Sequence, residues 1–287
     1  MRLRSLTKHI REQNWFAVFL DFFIVVVGIL IAFQITNWNE RREQRLSERG
    51  YLEQLRSDVV ELTDRRENYN RSRPINLMIL EGITDFTNGY TEDPSDKVFY
   101  DVNWIQTNYA QRAQEFLAAG VDLEVVADSF TCNMVDWSSS LTVPPSQLPT
   151  ASELIASGKL EKLNSEKVKG ALLSYMQQAS RAEEFILATQ LKTVNLSDKF
   201  PELFEIRYLK GVNFALQEEE SYPQYKCDFD AMRQNNAFLN ALNLNRSLYA
   251  EYTNRGVIPA SERLVELHGA IDEVLGVTHT NETKATK

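Results

Sequence analysis

The sequence predicts an all-α protein in which one N-terminal transmembrane helix continues into a helical stalk and then an antiparallel helical-bundle domain. Three observations carry that prediction. Residues 15–35 (WFAVFLDFFIVVVGILIAFQI) form a nearly unbroken apolar run. Glycine and proline are scarce, eleven and eight in 287 residues, which leaves long stretches without a breaker. Later segments repeat apolar side chains at helical spacing between capping and stop signals.

The first element is the span. At 1.5 Å of rise per residue, Trp15 to Ile35 covers roughly 30 Å, the thickness of a hydrocarbon core. Trp15 and Trp38 flank it as interfacial anchors, because an indole ring is amphipathic. Arg2, Arg4, Lys8 and Arg11 precede it against the single acid Glu12, whereas Arg41, Arg42, Arg45 and Arg49 follow it offset by Glu40, Glu43 and Glu48. Lysine and arginine counts alone tie. Net charge and length decide, since a short cationic tail resists crossing and a long acidic domain crosses with little regard to its charges. Residues 1–14 therefore read as a basic cytoplasmic tail, with the span in the plasma membrane, the inner membrane of a Gram-negative bacterial host. The chain from about residue 39 onward reads as exported, periplasmic in a Gram-negative host. A cleaved signal peptide is the competing reading, but Thr36-Asn37-Trp38-Asn39 offers no small-x-small site and the apolar core is too long. An uncleaved signal anchor fits better.

Residues 36–73 read as a juxtamembrane amphipathic helix that runs without proline to Pro74. Leu52, Leu55, Val59, Leu62 and Tyr69 give it one apolar seam at a/d-like spacing. The seam serves either a dimerising coiled coil or a helix lying on its own domain. Gly50 and the small number of heptads favour the second.

Residues 74–276 read as the helical exported domain. A helix over 75–86 ends near Asn88-Gly89, and Thr91 to Asp96 reads as a loop. Residues 97–130 read as helical, although Val98, Phe99, Tyr100, Val102, Trp104 and Ile105 would also suit strands. Pro144, Pro145 and Pro149 break the chain. Thr150 with Glu153 predicts a capping box, Gly158 a stop, and Asn164 or Ser165 the start of a long helix reaching about Leu196. The stretch from Pro201 to Pro223, with acidic Glu218 to Glu220, reads as irregular. Asp228 then caps a helix carrying Met232, Phe238, Leu239, Leu242, Leu248, Tyr249 and Tyr252. Pro259 opens a last helix with Leu264, Leu267, Ile271, Val274 and Leu275 as its buried stripe and Gly276 after it. Residues 277–287 have nothing to bury and read as a disordered tail.

Residues 51–287 hold 23 basic and 35 acidic side chains, a net charge of −12. Such a surface repels phosphate backbones, so no nucleic-acid partner is expected. The two cysteines, Cys132 and Cys227, permit one disulfide in an exported domain. It would close a loop of nearly a hundred residues and contribute roughly 4 kcal/mol in the chain-entropy model. Two unrelated buried thiols are the alternative.

Gln13-Asn14-Trp15, then Val25 to Gln34 (VVVGILIAFQ) and Asn37-Trp38-Asn39-Glu40, resemble the opening of an uncharacterised bacterial family of small single-pass envelope proteins. Glu153 to Leu160 (ELIASGKL), followed by Leu163 and a long helix, is similar to that family's central segment, as is the helical pair from Asp228 to Leu275. Residues 75–140 carry no such likeness. The resemblance implies membrane attachment and a helical exported domain. It supplies no reaction, substrate or catalytic residue.

Chemistry is thinly signalled. Phosphate-cradling glycine loops, HExxH, GxSxG and CxxC are all missing from the sequence. Of the three histidines, His9 and His279 lie in the two tails, and His268 reads as a helix-surface residue. Glu218 to Glu220 read as a solvated turn, and Asp122, Glu124, Asp128 and Asp136 lack calcium-loop spacing. No cofactor or metal is expected, and the protein is not expected to be an enzyme. A hydrolase using dispersed acids would need two carboxylates facing each other in a cleft.

Asp21 asks for an explanation, since an ionised carboxylate about 9 Å inside Trp15 is costly unless paired or hydrated. At 100° per residue Gly28 and Ala32 fall within about 20° of it. Gly28-x-x-x-Ala32 is a small-xxx-small pair, so this face is a candidate contact for a second copy or another membrane protein. An interfacial Asp that simply reaches water is the plainer alternative. The function expected from these features is protein-protein interaction or scaffolding at the envelope. A periplasmic small-ligand-sensing domain that signals through a membrane partner is the second reading.

Overall fold

The computed structural model describes residues 15–90, 102–108, 110–118, 120–209 and 222–277, with side chains from Phe19 onward except at 104, 108, 112, 115, 207–209, 222 and 223. Expectations for the basic tail, the loop at 91–96, residues 97–101, Glu218 to Glu220 and the tail beyond Val277 lie outside the described residues. The observed order is α1 (Trp15–Thr87), α2 (Val102–Asn108), α3 (Ala110–Ala118), α4 (Leu123–Trp137), α5 (Pro149–Ala156), α6 (Glu166–Gln190), α7 (Leu196–Lys199), β1 (Phe204–Leu209), β2 (Tyr222–Cys227), α8 (Phe229–Gln234), α9 (Asn236–Glu251) and α10 (Ile258–Leu275).

Helix α1 is 73 residues long and joins the apolar segment to the domain with no linker. The break expected at Pro74 does not occur, because Pro74 lies inside the helix. Its cost, about 3 kcal/mol in a helix interior, is outweighed by burial on both sides. Leu52, Leu55, Val59 and Leu62 are buried before it and Ile79, Leu80 and Ile83 after it. The seam read from the sequence thus packs on its own domain. Leu52 to Leu62 share a cluster with Leu154 of α5, Leu172 and Tyr175 of α6, and Leu264, Leu267 and Ile271 of α10. Farther along α1, Ile79, Leu80 and Ile83 meet Val135, Phe238, Leu242, Tyr249 and Tyr252 in a second cluster. A small third cluster (Ile105, Phe116, Leu123, Val126) holds α2, α3 and α4 together, so 102–108, 110–118 and 123–130 are helical.

Several helix ends follow their signals. Ser165 accepts from the Val168 N–H, Asp228 from Ala231, and Gly158 and Gly276 adopt φ of 66° and 69° beyond their helices; Asp122, not singled out as a cap from the sequence, accepts from the Glu124 N–H. The capping box at Thr150 does not form. Pro149 presets the first helical turn, Leu148 becomes the cap, and the Thr150 N–H is taken at 2.7 Å by Asp58 of α1. Helix α6 stops at Gln190 instead of Leu196. There Thr193 Oγ donates to the Gln190 and Ser139 carbonyls, and Asn195 caps the short α7.

The stretch read as irregular contains a hairpin. Strands β1 and β2 pair antiparallel with Phe204 opposite Cys227 and Ile206 opposite Tyr225. Phe204, Ile206 and Tyr208 alternate with Glu205 and Arg207, the period of a strand. Pro223 is tolerated because the Tyr225 N–H, two residues on, points out of the ladder to Ser129 Oγ of α4 at 2.9 Å, and the missing N–H of Pro223 faces the same way. Cys227 closes a disulfide to Cys132 of α4 across 95 residues, with Cα atoms 5.4 Å apart.

The expected helical pair after Asp228 is a short α8 followed by one continuous run, in which α9 passes through a π-helical turn (Tyr252–Val257) into α10. Pro259 cannot donate into the ladder, and the wider turn just before it absorbs the defect. Gly256 in this turn lies so close to α6 that an added Cβ would sit 2.8 Å from Ile186 Cγ1.

Arg66 fastens the π turn to α1 from inside. Its side chain is 2% exposed. Its Nη1 donates to the Pro145 carbonyl at 2.7 Å and Nη2 to the Val257 carbonyl at 3.1 Å, and Nε and Nη2 both reach Ser261 Oγ. Burial draws its pKa below the ordinary guanidinium value, against the opposing pull of Tyr175, Tyr252 and Tyr69. Tyr175 donates to the Ser146 carbonyl at 2.7 Å, and burial pushes its hydroxyl up to about 12 although Arg66 and Arg65 pull it down. Buried Asn245 bonds both the N–H and the carbonyl of Val194, at 2.9 and 2.7 Å, extending α9 across to the α6–α7 connection.

Candidate functional site

The candidate site lies where α1 leaves its own domain. Over residues 19–47 every side chain except the half-buried Val26 and Val27 is exposed, because no other described element packs there. This segment includes a window of mean hydropathy 2.4 with none of it buried within the chain, long and apolar enough to cross a membrane. A core helix of a soluble domain of this length would be covered.

Asp21, Gly28 and Ala32 fall on one side of this helix, and all three are exposed. Nothing lies within 4 Å of a Cβ built on Gly28, so the face is open for close approach. Away from that face, Val27, Leu30, Ile31, Gln34, Ile35 and Trp38 line a shallow apolar groove. Thr36 satisfies its hydroxyl on the Ala32 carbonyl at 3.0 Å, which lets a polar residue sit at the end of an apolar segment. Trp38 carries the Arg42 guanidinium 5.8 Å from its ring, which pairs an indole with a cation just beyond the end of the apolar segment. The Trp15 side chain lies outside the described residues.

One to three turns farther on, a cleft of about 540 Å³ opens between α1 and the α5–α6 connection. Glu40, Glu43, Gln44 and Ser47 form one wall, and Glu161, Lys162 and Asn164 the other. Glu48 holds the walls together by accepting from both the Asn164 backbone N–H and its Nδ2 at 2.6 Å. No local pattern points to this cleft, because Glu48 and Asn164 are 116 residues apart.

The remaining polar residues mostly fasten helices. His268 is half-buried, with Nε2 3.2 Å from Asp272 Oδ2, and Arg56 Nε donates to the other oxygen of Asp272 at 2.6 Å. The triplet clamps α10 onto α1. Asp228 and Glu205 share a groove with Glu202, Asp230 and Lys226 at the base of the hairpin, beside the disulfide. Among the described residues, no group of three or more His, Cys, Asp or Glu side chains is placed to hold a metal ion. No family model, curated protein or solved structure matches the chain.

Proposed function

We propose that this chain is a single-pass, membrane-anchored envelope protein, its N-terminus cytoplasmic and its helical domain periplasmic, that works without catalysis by holding or organising protein partners at the inner membrane. The observation that carries the reading is α1 itself. One helix runs from an entirely uncovered apolar segment into the centre of the domain core, so whatever the segment is embedded in also orients the domain. The disulfide between Cys132 and Cys227 supports export, since such bonds persist in oxidising compartments and are rare in the cytosol. The resemblance of the opening to single-pass envelope proteins agrees with it.

A second reading, a small-ligand-sensing domain, draws support from the cleft between Glu43 and Lys162, which would place a polar ligand against the emerging helix. In this reading the signal passes to a membrane partner. The test is topology followed by capture. Alkaline phosphatase and green fluorescent protein fused in turn to the C-terminus should be active and dark respectively, the protein should stay with carbonate-washed membranes, and mild-detergent purification should retain a stoichiometric protein partner or a second copy. Fluorescence with no phosphatase activity, or release into the supernatant, overturns the reading.

A further inference from the structure

We propose that the outward face of α1 between Asp21 and Ser57 is a two-fold seam for a second copy of this chain, locked just outside the bilayer by reciprocal Arg42–Glu43 ion pairs. The proposal deepens the anchor reading and rests on it. With Asp21 set to 0° and 100° added per residue, Gly28, Ala32, Asn39, Leu46, Gly50 and Ser57 all fall within about 20° of that line. The domain occupies the other side, where Leu52, Leu55 and Val59 lie between about 160° and 220°. The line therefore runs uncovered for about ten turns, and each of its members is exposed.

Two features select a second copy of the chain as the occupant. Arg42 falls near −60° and Glu43, the member of the cleft wall nearest the seam and at the cleft's outer rim, near +40°, so the line carries a cation on one flank and an anion on the other at almost the same height. A two-fold axis parallel to the helix sets the cationic flank of each copy against the anionic flank of the other, which makes two ion pairs from one sequence position. A second copy is also anchored by the same segment, so its Arg42 and Glu43 arrive at the matching depth without adjustment. The neighbouring turns complete the seam. Leu46, 61% exposed and the large apolar side chain of the juxtamembrane turns on this line, packs against its counterpart one turn above the ion pairs. Asn39 meets Asn39 one turn below, a polar pair of the kind that fixes parallel register. Glycine is the poorest helix former after proline, yet among the described residues nothing beyond the helix's own backbone approaches within 4 Å of a Cβ at Gly28 or Gly50. Close approach of a second helix gives both a purpose.

The experiment is disulfide capture of the full-length chain in native membrane vesicles. Cys132 and Cys227 are bonded to each other, so an added cysteine reports alone. Leu46→Cys should give a cross-linked dimer on mild oxidation, and Gln44→Cys, which faces the cleft, should not. Adding Arg42→Glu or Glu43→Arg to Leu46→Cys sets like charges against each other and should cut the dimer about tenfold at low salt, by loss of two pairs and gain of two repulsions. Both changes together restore complementary flanks and should restore the dimer, which a merely destabilising substitution would not do. Equal cross-linking from Leu46→Cys and Gln44→Cys, or a double variant no better than the singles, overturns the seam while the chain remains membrane-bound. Loss of the chain from the membrane fraction defeats the anchor reading instead.

Discussion

Replacing Arg66 by methionine removes a charge from the core and leaves the shape of its stem, so it separates packing from hydrogen bonding. The guanidinium bonds described go to the neutral oxygens of Pro145, Val257 and Ser261. Deleting it strands the Pro145 carbonyl, at a cost of about 1–3 kcal/mol for a buried unsatisfied group. Val257 fares better, since Ser261 Oγ lies 3.1 Å from its carbonyl and can still donate to it. The lost charge-assisted bonds and the relief from burying a cation, several kcal/mol in opposite directions, offset one another to first order, so the stranded carbonyl decides the balance. The net expectation is a loss of about 2–3 kcal/mol for Arg66→Met. Arg66→Lys should lose more, because a single ammonium keeps the burial penalty but cannot span three acceptors. For a soluble portion of this size, the loss for Arg66→Met corresponds to a fall of about 5–10 °C in Tm. Thermal melts of the detergent-solubilised full chain, followed by near-ultraviolet circular dichroism, measure it. A methionine variant within about 0.5 kcal/mol of the parent, or a lysine variant more stable than the methionine one, refutes the argument that this cation fastens the π turn to α1.

Gly256→Ala should destabilise by about 1–3 kcal/mol through overpacking against Ile186, and Ile186→Ala should recover part of that loss when combined with it, as a double-mutant cycle of melts will report. Tyr175 has a folded pKa raised to about 12, above its ordinary value near 10; its contribution is therefore full below pH 10 and is lost as pH climbs from 10 toward 12. That amounts to about 2–3 kcal/mol at roughly 1.4 kcal/mol per unit. Tyr175→Phe should flatten the alkaline limb of a stability-against-pH curve, the limb left over coming from Tyr252, which burial also raises. Cys132→Ser with Cys227→Ser should cost about 2–5 kcal/mol and expose the hairpin to protease before the rest of the domain; equal cleavage rates at the hairpin and in α6 would count against a local tether.

The helical elements were legible because they depend on local signals. Ser165, Asp228 and Gly276 act within a turn of themselves, and each does what its type and place predict. The misreadings share a cause in distant partners. Pro74 failed to end α1 because residues on both sides of it bury against helices over a hundred positions away. Thr150 lost its cap to Asp58, and the hairpin gains its support from Ser129 and Cys132 of α4. Alternation of Phe204, Ile206 and Tyr208 was the available clue to β1, masked by the prolines that bracket it. The face at Asp21, Gly28 and Ala32 followed from spacing alone. The cleft closed by Glu48 and Asn164 did not, because no spacing rule joins two ends of a fold.

An unbroken α1 has a mechanical consequence on the membrane reading. A helix of 73 residues is about 110 Å long, and its upper half is the spine of the domain, so the body has no joint about which to swivel independently of its root. A tilt of about 20°, ordinary for a span matching itself to bilayer thickness, would swing the tip by some tens of ångströms. Thickness of the surrounding lipid thus becomes a setting for how far, and in which direction, the protein reaches across the space outside it.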